Sequence, residues 1–152
     1  VMTIAMPKIS EVKILPYSAD QLFALVMDIE SYPEFLPFCT NAKIHSTSEE
    51  GIIASLTIKV AGLEKTYRSL VRADGNVIEA KAIDGPFKYL YNRWEFKSSE
   101  AFTIVSFEVD FELESFLLSS LMDVLLVKVY NEILASFEAR AEVKYGIKNS
   151  SD

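Results

Sequence analysis

The side chains that most often carry chemistry are scarce in this chain. His45 is the one histidine and Cys39 the one cysteine among 152 residues. His45 sits in Ala42-Lys43-Ile44-His45-Ser46-Thr47, on a segment that reads as an edge strand. It has no acidic or nucleophilic neighbour in sequence, and a general base needs a partner within hydrogen-bond reach. The plainer reading is a surface or hydrogen-bonded histidine. Cys39 follows Pro37-Phe38 with no second cysteine at CxxC spacing. A lone thiol of this kind ordinarily behaves as a small hydrophobe rather than a nucleophile. One His and one Cys cannot build a zinc or iron–sulfur site, and no disulfide can close within the chain. Phosphate-loop, GxSxG and HExxH patterns are absent from the sequence. The expectation is no catalytic residue, no metal and no enzyme. One enzymatic alternative stays open, a cyclase or dehydratase that works mainly by shaping its substrate. Tyr67 and Tyr91 are its candidate acid/base groups.

Charge narrows the partners. Fifteen Lys+Arg against 22 Asp+Glu give a net charge of −7. A general nucleic-acid binder needs clustered positive charge to displace counterions, so no direct nucleic-acid contact is expected. Half the residues are hydrophobic and 12% aromatic, with a mean hydropathy of +0.19. No stretch reaches the roughly 18 uncharged apolar residues that a membrane span requires. The nearest approach is 116–127, where Asp123 is the one charge. The first residues lack the cationic start of a signal peptide. The reading is a cytoplasmic protein, with any membrane contact peripheral to the inner membrane.

The elements that must position these side chains follow from periodicity. Residues 8–15 alternate as a strand ended by Pro16. Ser18 with Gln21 forms a capping box, and Tyr17 with Leu22 a hydrophobic staple, so a helix starts here and runs to near Glu30. The segment 31–38, held by Pro33 and Pro37, is a packed loop. From about residue 41 the period becomes two. Ile52, Ala54, Leu56, Ile58 and Val60 share a face, and strands follow over 63–72, 77–83 and 89–96. Asp74-Gly75-Asn76 and Asp84-Gly85-Pro86 supply turns between them. Over 102–113, Val105, Phe107, Val109, Phe111 and Leu113 oppose Ser106, Glu108, Asp110 and Glu112. That is a sheet with one wet face.

The chain closes with a long helix expected over 117–145, whose apolar stripe is Leu118, Met122, Leu125, Val129, Ile133, Phe137 and Ala141, with Gly146 as its stop. Its front half, 116–127, is apolar around most of its circumference. Burial under the 33–38 loop, a homodimer contact, and a mobile lid touching membrane all account for this. If it is a lid, the acidic stripe Glu108, Asp110, Glu112 and Glu114 has to face away from an anionic bilayer. The whole reads as an α+β, helix-grip domain over 8–146. A curved antiparallel sheet of six or seven strands wraps a long C-terminal helix, with 1–7 a disordered extension and 147–152 a disordered tail. The oligomeric state is left open.

Several motifs, in their order and spacing from residue 15 to residue 146, point to a known family. They are Leu15-Pro16-Tyr17-Ser18, Tyr32-Pro33-x-Phe35-x-Pro37, Asp84-Gly85-Pro86-Phe87-x-x-Leu90 and Arg93-Trp94-x-Phe96. Phe111-Glu112 ahead of Leu117-Leu118, and Phe137-Glu138-x-Arg140-Ala141-x-x-x-Tyr145-Gly146, complete the set. The chain resembles START-like proteins of the polyketide cyclase/dehydrase type. Within them it is similar to the coenzyme Q-binding branch, which also holds the ribosome-association toxin RatA. The resemblance implies a hydrophobic cavity between sheet and final helix that binds ubiquinone or a similar lipid as a ligand, not as a cofactor. The lining it implies is Phe35, Leu56, Tyr67, Phe87, Trp94, Phe96, Phe107, Phe111, Met122, Leu125, Leu126 and Val129. On the bare sequence the same side chains interdigitate as ordinary core. Arg93 and Arg140 carry the motif charges, with surface ion pairing as their ordinary role. A lipid-quinone carrier is the leading expectation, and a protein that binds the large ribosomal subunit and blocks subunit joining is the alternative.

Overall fold

The computed structural model describes residues 8–60, 62–113 and 127–147. Seven strands form one antiparallel sheet: β1 (Lys8–Leu15), β2 (Cys39–Ser48), β3 (Gly51–Val60), β4 (Leu63–Asp74), β5 (Val77–Ala82), β6 (Phe87–Ser99) and β7 (Phe102–Leu113). Their spatial order is β1-β7-β6-β5-β4-β3-β2. Six strands are thus a simple meander, and β1 returns to the outside of β7. With α1 (Ala19–Met27) and α2 (Ile133–Tyr145), this is the α+β helix-grip arrangement expected. The expected extension 1–7, most of the tail (148–152) and the whole of 116–126 lie outside the described residues.

The capping box forms as read: Gln21 N–H donates to Ser18 Oγ at 3.1 Å and Ser18 N–H to Gln21 Oε1 at 3.0 Å. The helix stops earlier than expected. α1 ends at Met27, and a 3₁₀ helix over Ile29–Glu34 replaces the first half of the expected loop. Pro33 fits there because the tight turn needs few interior N–H donors. The final helix is not continuous either. Residues 127–131 are helical, residue 132 is a turn, and α2 begins at Ile133. Ser136 Oγ donates to the Glu132 carbonyl at 2.9 Å across this break, a side-chain back-bond of the kind that bends helices.

The C-terminal end of α2 is pinned to the start of the chain. Tyr17 donates to the Gly146 carbonyl at 2.8 Å and Tyr145 to the Gln21 carbonyl at 3.2 Å. Thr103, fully buried, donates to the Tyr17 carbonyl at 2.6 Å. The stripe Val129, Ile133, Phe137 and Ala141 is buried as its spacing requires. The inner face of β7 is deeply buried, with Val105, Phe107, Val109 and Phe111 all at most 3% exposed. Burying four such side chains stabilises the fold by about 1.5–3 kcal/mol each.

Candidate functional site

Alternation along the strands decides what the concave face presents. Ala54 and Leu56 on β3 lie opposite Ser69 and Tyr67 on β4. Ile78 and Ala80 on β5 pair with Trp94 and Asn92 on β6, which pair in turn with Phe107 and Val109 on β7. Tyr32, Leu36, Phe38 and Cys39 close one side. Tyr130, Ile133 and Phe137 form the roof. These groups surround a cavity of about 90 Å³. At roughly 10–15 Å³ per water it has room for several waters, but it falls short of the roughly 150 Å³ that accepts a benzene ring. A ring-sized guest therefore has to displace side chains of the wall. None of the described residues lining the cavity is charged.

The aromatic wall is tightly cross-braced. Trp94 lies 4.3 Å from Phe107 and 5.0 Å from Phe137, centroid to centroid. Such pairs add about 0.5–1.5 kcal/mol beyond the area they bury. Tyr67 meets Phe87 edge-on at 5.3 Å. It is also held by the Asp84-Gly85-Pro86 turn. Asp84 accepts from the Arg68 N–H at 2.6 Å and from Arg68 Nε at 2.7 Å, and these bonds lower the Asp84 carboxyl pKa. Gly85, at φ +99°, lies so close that a Cβ there would sit 2.4 Å from the Cβ of Tyr67. Only glycine fits both the backbone angle and the space. The motif therefore has a mechanical meaning: it fastens the β5–β6 turn onto β4 at Tyr67.

Several polar groups face this apolar space. Burial pushes the hydroxyls of Tyr32, Tyr67 and Tyr130 well above the usual phenol range, reinforced at Tyr32 by Tyr67, Cys39 and Asp28, at Tyr67 by Cys39, and at Tyr130 by Tyr67. Burial pushes the Cys39 thiol up to about 11, against the opposing effect of its contact with the Asn41 carbonyl. All four are protonated at neutral pH. A protonated thiol is a poor nucleophile and a neutral phenol a poor base. The site can hold an apolar body and donate hydrogen bonds to an acceptor.

The residues singled out from sequence are distributed unevenly. Leu56, Tyr67, Trp94 and Phe107 line the cavity. Phe96 belongs to a separate void of about 10 Å³ beside Leu22 and Leu134. Phe87 and Phe111 stand one layer back, Phe87 against Tyr67 and Phe111 against Tyr130 at 5.3 Å. Val129 is buried beside Tyr130 without lining the space. Phe35 packs on Phe137 from the outer side at 5.0 Å and borders a shallow surface groove. Met122, Leu125 and Leu126 lie outside the described residues. Tyr91 is on the other face of the sheet, opposite Lys81 and Asp110, so it cannot serve the cavity as an acid or base. Three positions from Trp94 on a two-residue period is the wrong side. Tyr32, Ser69, Asn92 and Tyr130 were not anticipated and do line the cavity.

The isolated polar candidates find structural partners. His45, exposed on edge strand β2, hydrogen-bonds Ser55 at 2.9 Å. Arg93 bonds Glu95 at 2.9 Å on the outer face. Arg140 reaches Glu34 at 3.3 Å and lies 5.2 Å above the Phe35 ring, so it ties α2 to the 3₁₀ helix.

The sequence profile of the polyketide cyclase/dehydrase and lipid transport family matches residues 15–138. The chain belongs to this family. Among its relatives, the ribosome association toxin RatA of Escherichia coli K12 is 35% identical over 97% of this chain and 94% of its own length. The Dictyostelium discoideum mitochondrial coenzyme Q-binding protein COQ10 is 29% identical over 91% of this chain and 70% of its own. These family members carry toxin or binding names rather than enzyme names. Among solved structures, the Zhui aromatase/cyclase from a Streptomyces species aligns over 97% of this chain and 98% of its own with a TM-score of 0.83. At 15% identity that shows the shared fold alone. An 18 kDa protein from Caulobacter crescentus is 31% identical, with a TM-score of 0.74, over 93% of this chain and 100% of its own. Within the described residues no helix is long and apolar enough to cross a membrane.

Proposed function

We propose that the protein binds the ring of a polyprenyl quinone, ubiquinone or a close analogue, and acts as a non-enzymatic carrier or chaperone in respiration or quinone synthesis. The observation that carries this reading is an aromatic cavity whose described lining residues are uncharged and include phenolic hydroxyls. An apolar body with a few placed polar groups is the usual make-up of a small-molecule site. A quinone ring matches it in chemistry, being flat, apolar on its faces and with acceptor oxygens at its edge, and it enters by displacing side chains of the wall. The cavity is too small for a polyprenyl tail, so the tail runs out along the protein or stays in lipid. On this reading the protein works in the cytoplasm and meets quinone at the inner-membrane surface. Purification without detergent from a ubiquinone-producing host, followed by organic extraction and mass spectrometry, tests it. Ubiquinone at a substantial fraction of the protein's molar amount is expected. No quinone in repeated preparations, and no uptake of added short-chain quinone, overturns the reading.

A second reading is association with the large ribosomal subunit, blocking subunit joining. Its support is the similarity to the relatives named ribosome association toxin RatA. With a net charge of −7, a basic ribosomal protein is a better partner than rRNA. Sucrose-gradient profiles after overexpression test this, with loss of 70S particles expected. An unchanged 70S peak with the protein absent from the 50S fractions argues against it.

A further inference from the structure

Tyr130 is the anomaly of the cavity wall. Its hydroxyl is fully buried and has no hydrogen-bond partner among the described residues. Buried hydroxyls are nearly always paired, so an orphan calls for a physical reason. Phe111 packs on the ring at 5.3 Å, and the residue is 5% exposed. Two other polar groups on the wall are already engaged: Tyr32 donates to the Val26 carbonyl and Cys39 Sγ contacts the Asn41 carbonyl at 3.4 Å. Tyr67, Ser69 and Asn92 share the cavity with Tyr130. Tyr67 is close enough that a charge on it would be felt at Tyr130.

We propose that Tyr130 is the specificity residue of the site: its hydroxyl donates to a carbonyl oxygen of the guest's ring, with Tyr67 as its neighbouring donor. This rests on the quinone reading and adds which protein atom reads the guest and which guest atom is read. A ring without an acceptor oxygen leaves the buried hydroxyl unpaired, so the site discriminates by chemistry as well as by shape. It also makes the empty protein carry an unpaired buried donor.

The test compares Tyr130→Phe with the parent protein against two probes, a short-chain ubiquinone and butylbenzene, by titration calorimetry. Tyr91→Phe, on the outer face, is the control. For Tyr130→Phe, quinone binding is expected to weaken about 3- to 10-fold, the range of one neutral hydrogen bond. Butylbenzene binding should be unchanged or tighter. The thermal midpoint of the empty protein should not fall, because no partner is lost. Tyr91→Phe should bind both probes as the parent does. Three results overturn the proposal: quinone affinity unchanged in Tyr130→Phe, both probes weakened alike, or a midpoint several degrees lower in the empty variant. If the parent protein binds neither probe, or butylbenzene alone, the quinone reading fails and this inference falls with it.

Discussion

Replacing Gly85 by alanine tests whether the β5–β6 turn holds the cavity wall. Two costs are readable from the structure. The backbone sits at φ +99°, outside the conformations an alanine adopts without strain, at roughly 1–3 kcal/mol. The new methyl would lie 2.4 Å from Tyr67 Cβ and 3.3 Å from Tyr67 Cα, and forcing atoms into packed space costs about 1–3 kcal/mol. Together they predict a loss of about 2–6 kcal/mol. Gly75 provides the comparison. It is also a positive-φ glycine, at +59°, but a Cβ there meets nothing within 4 Å. Gly75→Ala should cost about 1 kcal/mol, a left-handed penalty partly offset by a stiffer unfolded chain. Urea unfolding of both variants, followed by far-ultraviolet circular dichroism, separates the terms. The Gly85 variant should unfold at clearly lower urea with a similar dependence on denaturant. Equal losses in the two variants would refute the reasoning, because the cost would then be one of backbone angle alone.

Phe137→Ala should destabilise the protein by about 3–5 kcal/mol and widen the cavity, since Phe137 touches Trp94, Tyr32 and Phe35; urea unfolding and calorimetric binding of butylbenzene are the checks. Cys39 should react slowly with a thiol reagent at pH 8 in the native protein and fast in urea, and full-rate native labelling would contradict its burial. Because the folded thiol titrates at about 11, above the roughly 8.5 of an exposed cysteine, its contribution to stability is intact below about pH 8.5 and is lost as pH rises towards 11; unfolding midpoints across that range should fall, and should fall less in Cys39→Ala. Asp84 titrates below its ordinary value because Arg68 donates to it. Its contribution is therefore present above about pH 4 and lost as pH falls through the lowered value. Asp84→Asn should remove that part of the acid dependence in unfolding curves recorded below about pH 4.

Much of the fold is written in local pattern. The strict alternation from Val105 to Leu113, the Ser18–Gln21 capping box and the Asp-Gly turns each specify an element without help from distant residues. The candidate site is less legible for a specific reason: its informative residues are polar ones placed inside. Asn92 falls between Leu90 and Trp94 on the inner parity of β6, and Ser69 between Tyr67 and Val71 on β4, so counting by twos would have found both. Tyr130 lies three and seven residues before Ile133 and Phe137, hence on their face of a helix, although the apolar stripe passes it by. Tyr32 is different. It reaches the cavity because α1 ends at Met27 and a 3₁₀ helix follows, and nothing local to the sequence announces that change of helix. The same parity that admits Asn92 excludes Tyr91.

Trp94 is the one tryptophan in the chain, and it stands 5% exposed in the cavity wall against Phe107 and Phe137. On the proposed function, the protein therefore carries its own optical reporter in the wall that the quinone ring would meet. Indole emission shifts with the polarity around the ring, and quinones quench it by contact. One unlabelled sample can thus distinguish three states by light alone: empty and folded, loaded and dark, unfolded and red-shifted.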